Sequence, residues 1–293
     1  MTWVLILAPG TLAAALTNAG CADPKGFDTC QAQANNQVSS CIAQAKKDGS
    51  QQEILACGCQ DYTNSYNCYS AFCWNRVWEC EYQDYIIGHF QNCPTAKLPV
   101  PYFPAPHNAP DACSCNIGKV YLATQNAIQE TAQYSNNANG IGDSGNALQV
   151  MQGCSCCEIS GAISSMWVIC PDTDPMLIGL AGVSQLESQI NAQFDQCGQY
   201  LETYDCETAL GYELDGLSTY YRPDNLPQSG TATLSNGPGT VTAPASSSVF
   251  TYTNGADGTI YTITAANVKS AGGSGSNSQM TGSGSRQTAG TGS

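Results

Sequence analysis

Positive charge is what this chain has least of. Nine Lys plus Arg stand against 23 Asp plus Glu over 293 residues, a formal charge of −14. A nucleic-acid or anionic-membrane binder needs a basic face, so neither partner is expected. Histidine is nearly missing as well, with His89 and His107 the only two. With so few imidazoles and no paired C-x-x-C knuckles, a zinc site is not expected, although C-x-C pairs can bind softer metals. No Asn-x-Ser/Thr triplet occurs, which excludes N-glycosylation. Beyond the N-terminus, no segment approaches the roughly 18 apolar residues needed to span a bilayer. Cysteine itself disappears after Cys206.

Before that point cysteine is abundant. The first half holds Cys21, Cys30, Cys41, Cys57, Cys59, Cys68, Cys73, Cys80 and Cys93. The second holds Cys113, Cys115, Cys154, Cys156, Cys157, Cys170, Cys197 and Cys206. Such density is common where disulfides persist and rare where glutathione keeps thiols reduced. All seventeen are disulfide candidates, their pairing open, and the odd count leaves one over. The neighbours Cys156 and Cys157 are expected to bond to different partners. Each bridge contributes on the order of 2–4 kcal/mol by restricting the unfolded chain.

Residues 1–19 read as a signal peptide. Trp3–Ala8 and Leu12–Leu16 supply the apolar region, with Ala13-x-Ala15 and Thr17-x-Ala19 as alternative cleavage sites. No Lys or Arg precedes that region, and Pro9-Gly10 interrupts it. The localisation this implies is secreted or extracellular.

Two halves echo each other. Cys57-Gly58-Cys59 has Cys73 fourteen positions beyond its second member, and Cys154-Ser155-Cys156 has Cys170 at the same interval. The spacing predicts a disulfide-rich helical unit over 20–93 and a second over 111–228. In the first, Asp28 is read as the cap of a helix running to Asp48, Ser50-x-x-Glu53 opens a helix carrying the first C-x-C, and a third helix covers Trp74–Phe90. In the second, Asp111 is the cap, a helix spans Cys115–Tyr134, another carries the second C-x-C to Trp167, and Ser184-x-x-Glu187 starts a long one reaching Tyr204. The fold class is therefore mainly α: two three-helix units, a duplication of one plan.

Six prolines in 94–110 predict a semi-rigid linker between the units. Residues 229–269 read as a Ser/Thr-rich stalk. Within it, Ser248–Thr253 and Gly258–Ile263 alternate apolar with polar around Asn254-Gly255, a hairpin signal. Residues 270–293 are low-complexity Gly/Ser/Thr, expected to be a disordered tail suited to O-glycosylation.

Chemistry-bearing motifs are weak. Gly140-x-Gly142-x-x-Gly145 lacks the preceding strand that a dinucleotide site needs. Gly142-Asp143-Ser144-Gly145 matches the tetrapeptide around a serine-protease nucleophile, without the histidine-bearing stretch that chemistry requires. Asp172 and Asp174 sit in a proline-bounded turn without the ladder of a calcium loop. Glu79, Glu81 and Asp84 read as a solvated helix face. The better clue is aromatic: Trp74, Trp78, Tyr82 and Tyr85 recur at helical spacing, with His89 four further on. Such a stripe covers the core, or has the Tyr102-Phe103 proline segment stacked on it, or else forms a groove for a sugar or flat apolar ligand.

The paired C-x-C units, the leader and the Gly/Ser/Thr tail resemble cysteine-rich secreted and cell-surface proteins of filamentous fungi. The C-x-C pairs and the Cys156-Cys157 doublet also look like pieces of the fungal CFEM module, some members of which bind haem through an aspartate. Here the acidic residue before Cys57 is Glu53, so no ligand residue carries over and no cofactor is expected. The resemblance implies a secreted, non-enzymatic protein of the cell wall or medium. A small-ligand module (sugar, or flat and haem-like) is the alternative, and an extracellular hydrolase the third reading. Partners would be a cell-wall polysaccharide or another extracellular protein.

Overall fold

In a computed structural model of the protein, the described residues are 15–137, 147–212, 217, 219–268 and 281–282, with the side chains of 129–137 and 281–282 left aside. The leader up to residue 14, the Gly140–Gly145 motifs and the tail other than Thr281–Gly282 lie outside them. The described residues form seven α-helices and three short strands. They fall into two compact units: one made of the chain up to Ala112 together with Asn236 onward, the other of Cys113–Ser235.

The first unit is built on a helical hairpin. α1 (Pro24–Asp48) begins at Asp23, whose carboxylate accepts the Gly26 N–H at 2.9 Å, with Pro24 at the first helical position. The cap is thus five residues earlier than the expected Asp28, which instead accepts from the Asn18 amide. Gly49, left-handed at φ 69°, ends the helix. Ser50 then caps α2 (Gln51–Phe72), accepting from the Glu53 N–H at 3.2 Å. Three bridges lace the pair in nested order, Cys21–Cys73, Cys30–Cys68 and Cys41–Cys57. A fourth, Cys59–Cys93, ties α2 to the end of α3 (Cys80–Asn92). Every one of these four has an end on α2 or at its cap.

The expected third helix is divided. A single turn at Trp74–Arg76 is separated from α3 at Val77–Glu79, where Arg76 folds onto Glu79 (Nη2 to Oε2, 2.6 Å) and the chain turns extended. The proline-rich segment, expected as a linker, packs into this unit, with Val100, Phe103 and Ala105 buried. Prolines donate no hydrogen bond, so the segment's polar backbone needs side-chain partners when it is covered. Tyr82 and Gln83 of α3 supply them. Tyr82 Oη donates to the Pro101 carbonyl at 2.7 Å. Gln83, 1% exposed, donates to the Val77 and Tyr102 carbonyls and accepts from the Ala105 N–H, each at 3.0 Å.

The hairpin expected in a stalk also belongs here. β1 (Val249–Thr253) pairs antiparallel with β2 (Ile260–Thr264) in the register Tyr252↔Tyr261, and β3 (Thr281–Gly282) adds to β2. An isolated hairpin is marginal in water; this one is covered on one side by α2. Tyr252 Oη donates to Asn67 Oδ1 (2.6 Å), Asn254 Nδ2 to Tyr66 Oη (3.1 Å), and the Ala266 N–H to the Ala71 carbonyl (2.8 Å).

The second unit repeats the plan around α5. α4 (Ile117–Asn137) is opened by Asn116, whose Oδ1 accepts the Lys119 N–H at 3.1 Å, and not by Asp111, which sits at φ 58° outside the helix. α5 (Ala147–Ile169) is buried along most of its length. Cys115–Cys170 matches Cys21–Cys73, and Cys156–Cys197 matches Cys59–Cys93. Where unit one has Cys30–Cys68, unit two has Thr124 and Ser165 at the same intervals from those anchors, their hydroxyls 3.4 Å apart. Cys157–Cys206 is an addition. The expected long helix from Ser184 is three pieces: α6 (Leu180–Ile190), a turn at Phe194–Gln196, and α7 (Gly198–Thr203). α6 stops because Asn191 turns left-handed (φ 52°), and Glu187 accepts the Phe194 N–H at 2.9 Å instead of capping a helix start.

Candidate functional site

The four aromatic residues singled out by spacing are largely covered. Trp74 is 7% exposed and donates its indole N–H to the Ala266 carbonyl at 2.8 Å. It packs with Val241 and Ala265, and Trp78 lies partly buried against the same cluster. Tyr82 is fully buried and stacked on Tyr69 (centroids 5.4 Å apart), and Tyr85 is 9% exposed beside Tyr62. The break at Val77–Glu79 splits the stripe, so two residues face the returning C-terminal segment and two face α2. What lines up is a covered core, stabilised by apolar burial of about 25 cal/mol per Å².

His89 joins this core. Its ring is 2% exposed and lies between Tyr62 (5.4 Å) and Tyr66 (5.5 Å). Burial pushes its pKa down to about 4, so the imidazole is neutral at pH 7. Its Nδ1 and the buried Oδ1 of Asp61 have no hydrogen-bond partner among the described residues, and burial raises the Asp61 carboxyl. His107 is exposed. Glu79 and Glu81 answer Arg76. Asp174 caps a single turn through the Met176 N–H (3.0 Å). Among the described residues no group of three His, Cys, Asp or Glu is arranged to hold a metal.

An open concavity lies in the second unit. A cleft of about 340 Å³ is lined by Leu201, Asp205, Cys206, Glu207, Tyr220, Arg222 and Asn225. Both of its walls are set by one face of α5. Cys157 fixes one wall through Cys206, flanked by Asp205 and Glu207. One turn and two turns further on, Ser160 and Ser164 grip the other wall through Tyr221. Ser160 Oγ donates to the Tyr221 carbonyl and Ser164 Oγ accepts its N–H, each at 2.7 Å. Tyr220 and Arg222 flank that clamped residue. Asp205 is held by the Thr208 N–H (2.7 Å) and hydroxyl (2.8 Å), which keep its carboxyl below the ordinary range. Arg222 is paired with Asp224, and its N–H is received by Asn225 Oδ1 at 2.6 Å.

An aromatic edge, two carboxylates, an amide and a guanidinium on a fixed frame suit a small polar ligand bearing hydroxyls. No spacing rule singles out this set. Its residues come together through Cys157–Cys206 and two serines, and only the Cys156-Cys157 doublet hinted that α5 would reach two partners. Compared with protein-family models, curated proteins and solved structures, the chain finds no match in any of the three. What the fold defines is a class: a mainly helical, disulfide-braced protein with no helix among its described residues long and apolar enough to cross a membrane.

Proposed function

We propose that this is a secreted, non-enzymatic protein that acts structurally or by contact at a cell wall or in the extracellular medium. The observation that carries the reading is that sixteen of the seventeen cysteines are disulfide-bonded, all but Cys154. A chain so crosslinked belongs where thiols are oxidised. The acidic balance keeps it soluble and away from anionic surfaces. The Gly/Ser/Thr tail then serves as a spacer, with its hydroxyls as sites for O-linked sugars. Expression in a fungal host tests this: the protein should collect in the medium or wall fraction, oxidised, and with glycans confined to Ser/Thr. Retention in the cytosol with reduced thiols would end the proposal.

A second reading is a small-ligand module, and it is the cleft in the second unit that favours it. The ligand would be hydroxyl-rich, such as a cell-wall saccharide held by Tyr220, Glu207 and Asn225. Calorimetric titration with wall-derived oligosaccharides checks it. Glu207→Gln, at an exposed position, should weaken binding by about tenfold, the loss of one charge-assisted hydrogen bond.

A further inference from the structure

The chain just before the first bridge is fastened closely for so short a segment. Thr17 donates its N–H to Glu81 Oε1 at 2.6 Å and its hydroxyl to Oε2 at 2.8 Å. Arg76 Nη1 reaches Thr17 Oγ1 at 3.4 Å and donates to the Ala19 carbonyl. Asn18 Nδ2 stands 2.9 Å from each Asp28 oxygen, and the Asn18 carbonyl receives the Cys21 N–H at 3.2 Å. Asn75 closes the set, donating to the Gly20 carbonyl and accepting from the Ala22 N–H, each at 2.8 Å. Arg76 is itself oriented by Glu79, through Nε at 2.8 Å and Nη2 at 2.6 Å. Residues 17–20 are therefore part of the first unit's framework, joined to the turn at Trp74–Arg76, to α1 and to α3. Ala15 is exposed.

Two small-x-small pairs offer themselves to a leader peptidase, Ala13-x-Ala15 and Thr17-x-Ala19. Their consequences for the folded protein differ. Hydrolysis after Ala19 discards Thr17, Asn18 and Ala19. It strips Glu81 of two donors, Asp28 of its amide partner and Arg76 Nη1 of both acceptors. Glu81 keeps Arg76 and the Tyr69 hydroxyl, and Arg76 keeps Glu79, so the destabilisation is that of the several hydrogen bonds lost at these partly buried groups. Hydrolysis after Ala15 removes none of these groups.

We propose that the leader is removed by hydrolysis of the Ala15–Leu16 peptide bond, so that the mature protein begins at Leu16. Water supplies the hydroxyl to the Ala15 carbonyl carbon and the proton to the Leu16 amine, in the ordinary chemistry of a membrane-bound leader peptidase. The inference rests on the secretory reading above and goes beyond it by choosing one bond.

The experiment is N-terminal sequencing and intact-mass measurement of the full chain secreted by a eukaryotic host, with a second arm on stability. A mature terminus at Leu16 is the expected result. A terminus at Gly20, or at any later residue, overturns the choice of bond and leaves secretion standing. An uncleaved Met1 terminus on intracellular protein overturns both. In the second arm, chains starting at Leu16 and at Gly20 are each exported behind a foreign leader. The Gly20 chain should melt about 5 °C lower, as expected for losing several hydrogen bonds in a unit of this size. Equal melting of the two would remove the physical basis of the proposal.

Discussion

Cys154 is a thiol because its opposite number found a partner that it lacks. Cys57, the first member of the other C-x-C pair, bonds to Cys41 on α1; α4, which holds the corresponding place, contains no cysteine at all. The thiol is enclosed by Val150, Leu210 and Tyr212, and burial raises its pKa. Native protein should therefore resist iodoacetamide at pH 8, and guanidinium should release one reactive thiol per chain, counted by mass spectrometry. His89 makes a different prediction. Its pKa is about 4 in the folded state against an ordinary 6.5, so the unfolded chain binds the extra proton between those values. Stability from this residue is complete above pH 6.5 and drains away as pH falls towards 4, by about 3 kcal/mol in all. Asp61 works in the opposite sense, because its raised carboxyl takes up a proton more readily folded than unfolded. Denaturant midpoints at pH 7 and pH 4.5 should show the loss, and His89→Phe should flatten it.

Helices were the legible part of the sequence, their limits less so. Ser50-x-x-Glu53 placed the start of α2 correctly, and the second C-x-C lies within a single helix as its spacing required. Asp28 misled because Asp23-Pro24 is the stronger start, an acceptor followed by a residue with no N–H to satisfy. The break at Val77–Glu79 was hidden because Trp74, Trp78, Tyr82 and Tyr85 keep helical intervals straight across it. Gln83 belongs to no motif, yet it holds the proline-rich segment at the Tyr102 carbonyl and the Ala105 N–H and ties it to the Val77 carbonyl. Gln83→Leu leaves those groups buried and unmatched, and should cost about 2–4 kcal/mol in chemical denaturation, with unit two unaffected. The comparison of helical pairs gives a constructive test. Thr124→Cys with Ser165→Cys should close the rung that Cys30–Cys68 provides in unit one. The double variant should show no more free thiol than the parent and gain about 2–4 kcal/mol; two extra thiols would mean that the helical pairs are not equivalent.

Composition foretold a crosslinked helical protein, but which parts of the chain belong together could not be read from it. The ladder of bridges follows a spacing visible in one dimension. The return of the C-terminal segment does not: Asn254 meets Tyr66 across 188 residues, and nothing near either residue announces the other. The polar cleft was hidden for the same reason, since it is assembled from Cys157–Cys206 and from Ser160 and Ser164 gripping Tyr221. A hairpin-bearing segment of Ser and Thr looks like a stalk until the acceptors waiting for it on α2 are known.

The convergence of bridges on α2 and α5 has an outcome for durability. In each unit the bridges described above share one hub, α2 or α5 with its end, so a cut in the chain around that hub need detach nothing. If a foreign enzyme nicks the turn at Gly49-Ser50, α1 stays fastened by Cys21–Cys73, Cys30–Cys68 and Cys41–Cys57. Protein nicked at that turn, through a protease site inserted between Gly49 and Ser50, should run as one species in a non-reducing gel and come apart only when thiol is added. A molecule wired in this way outlives its own cuts.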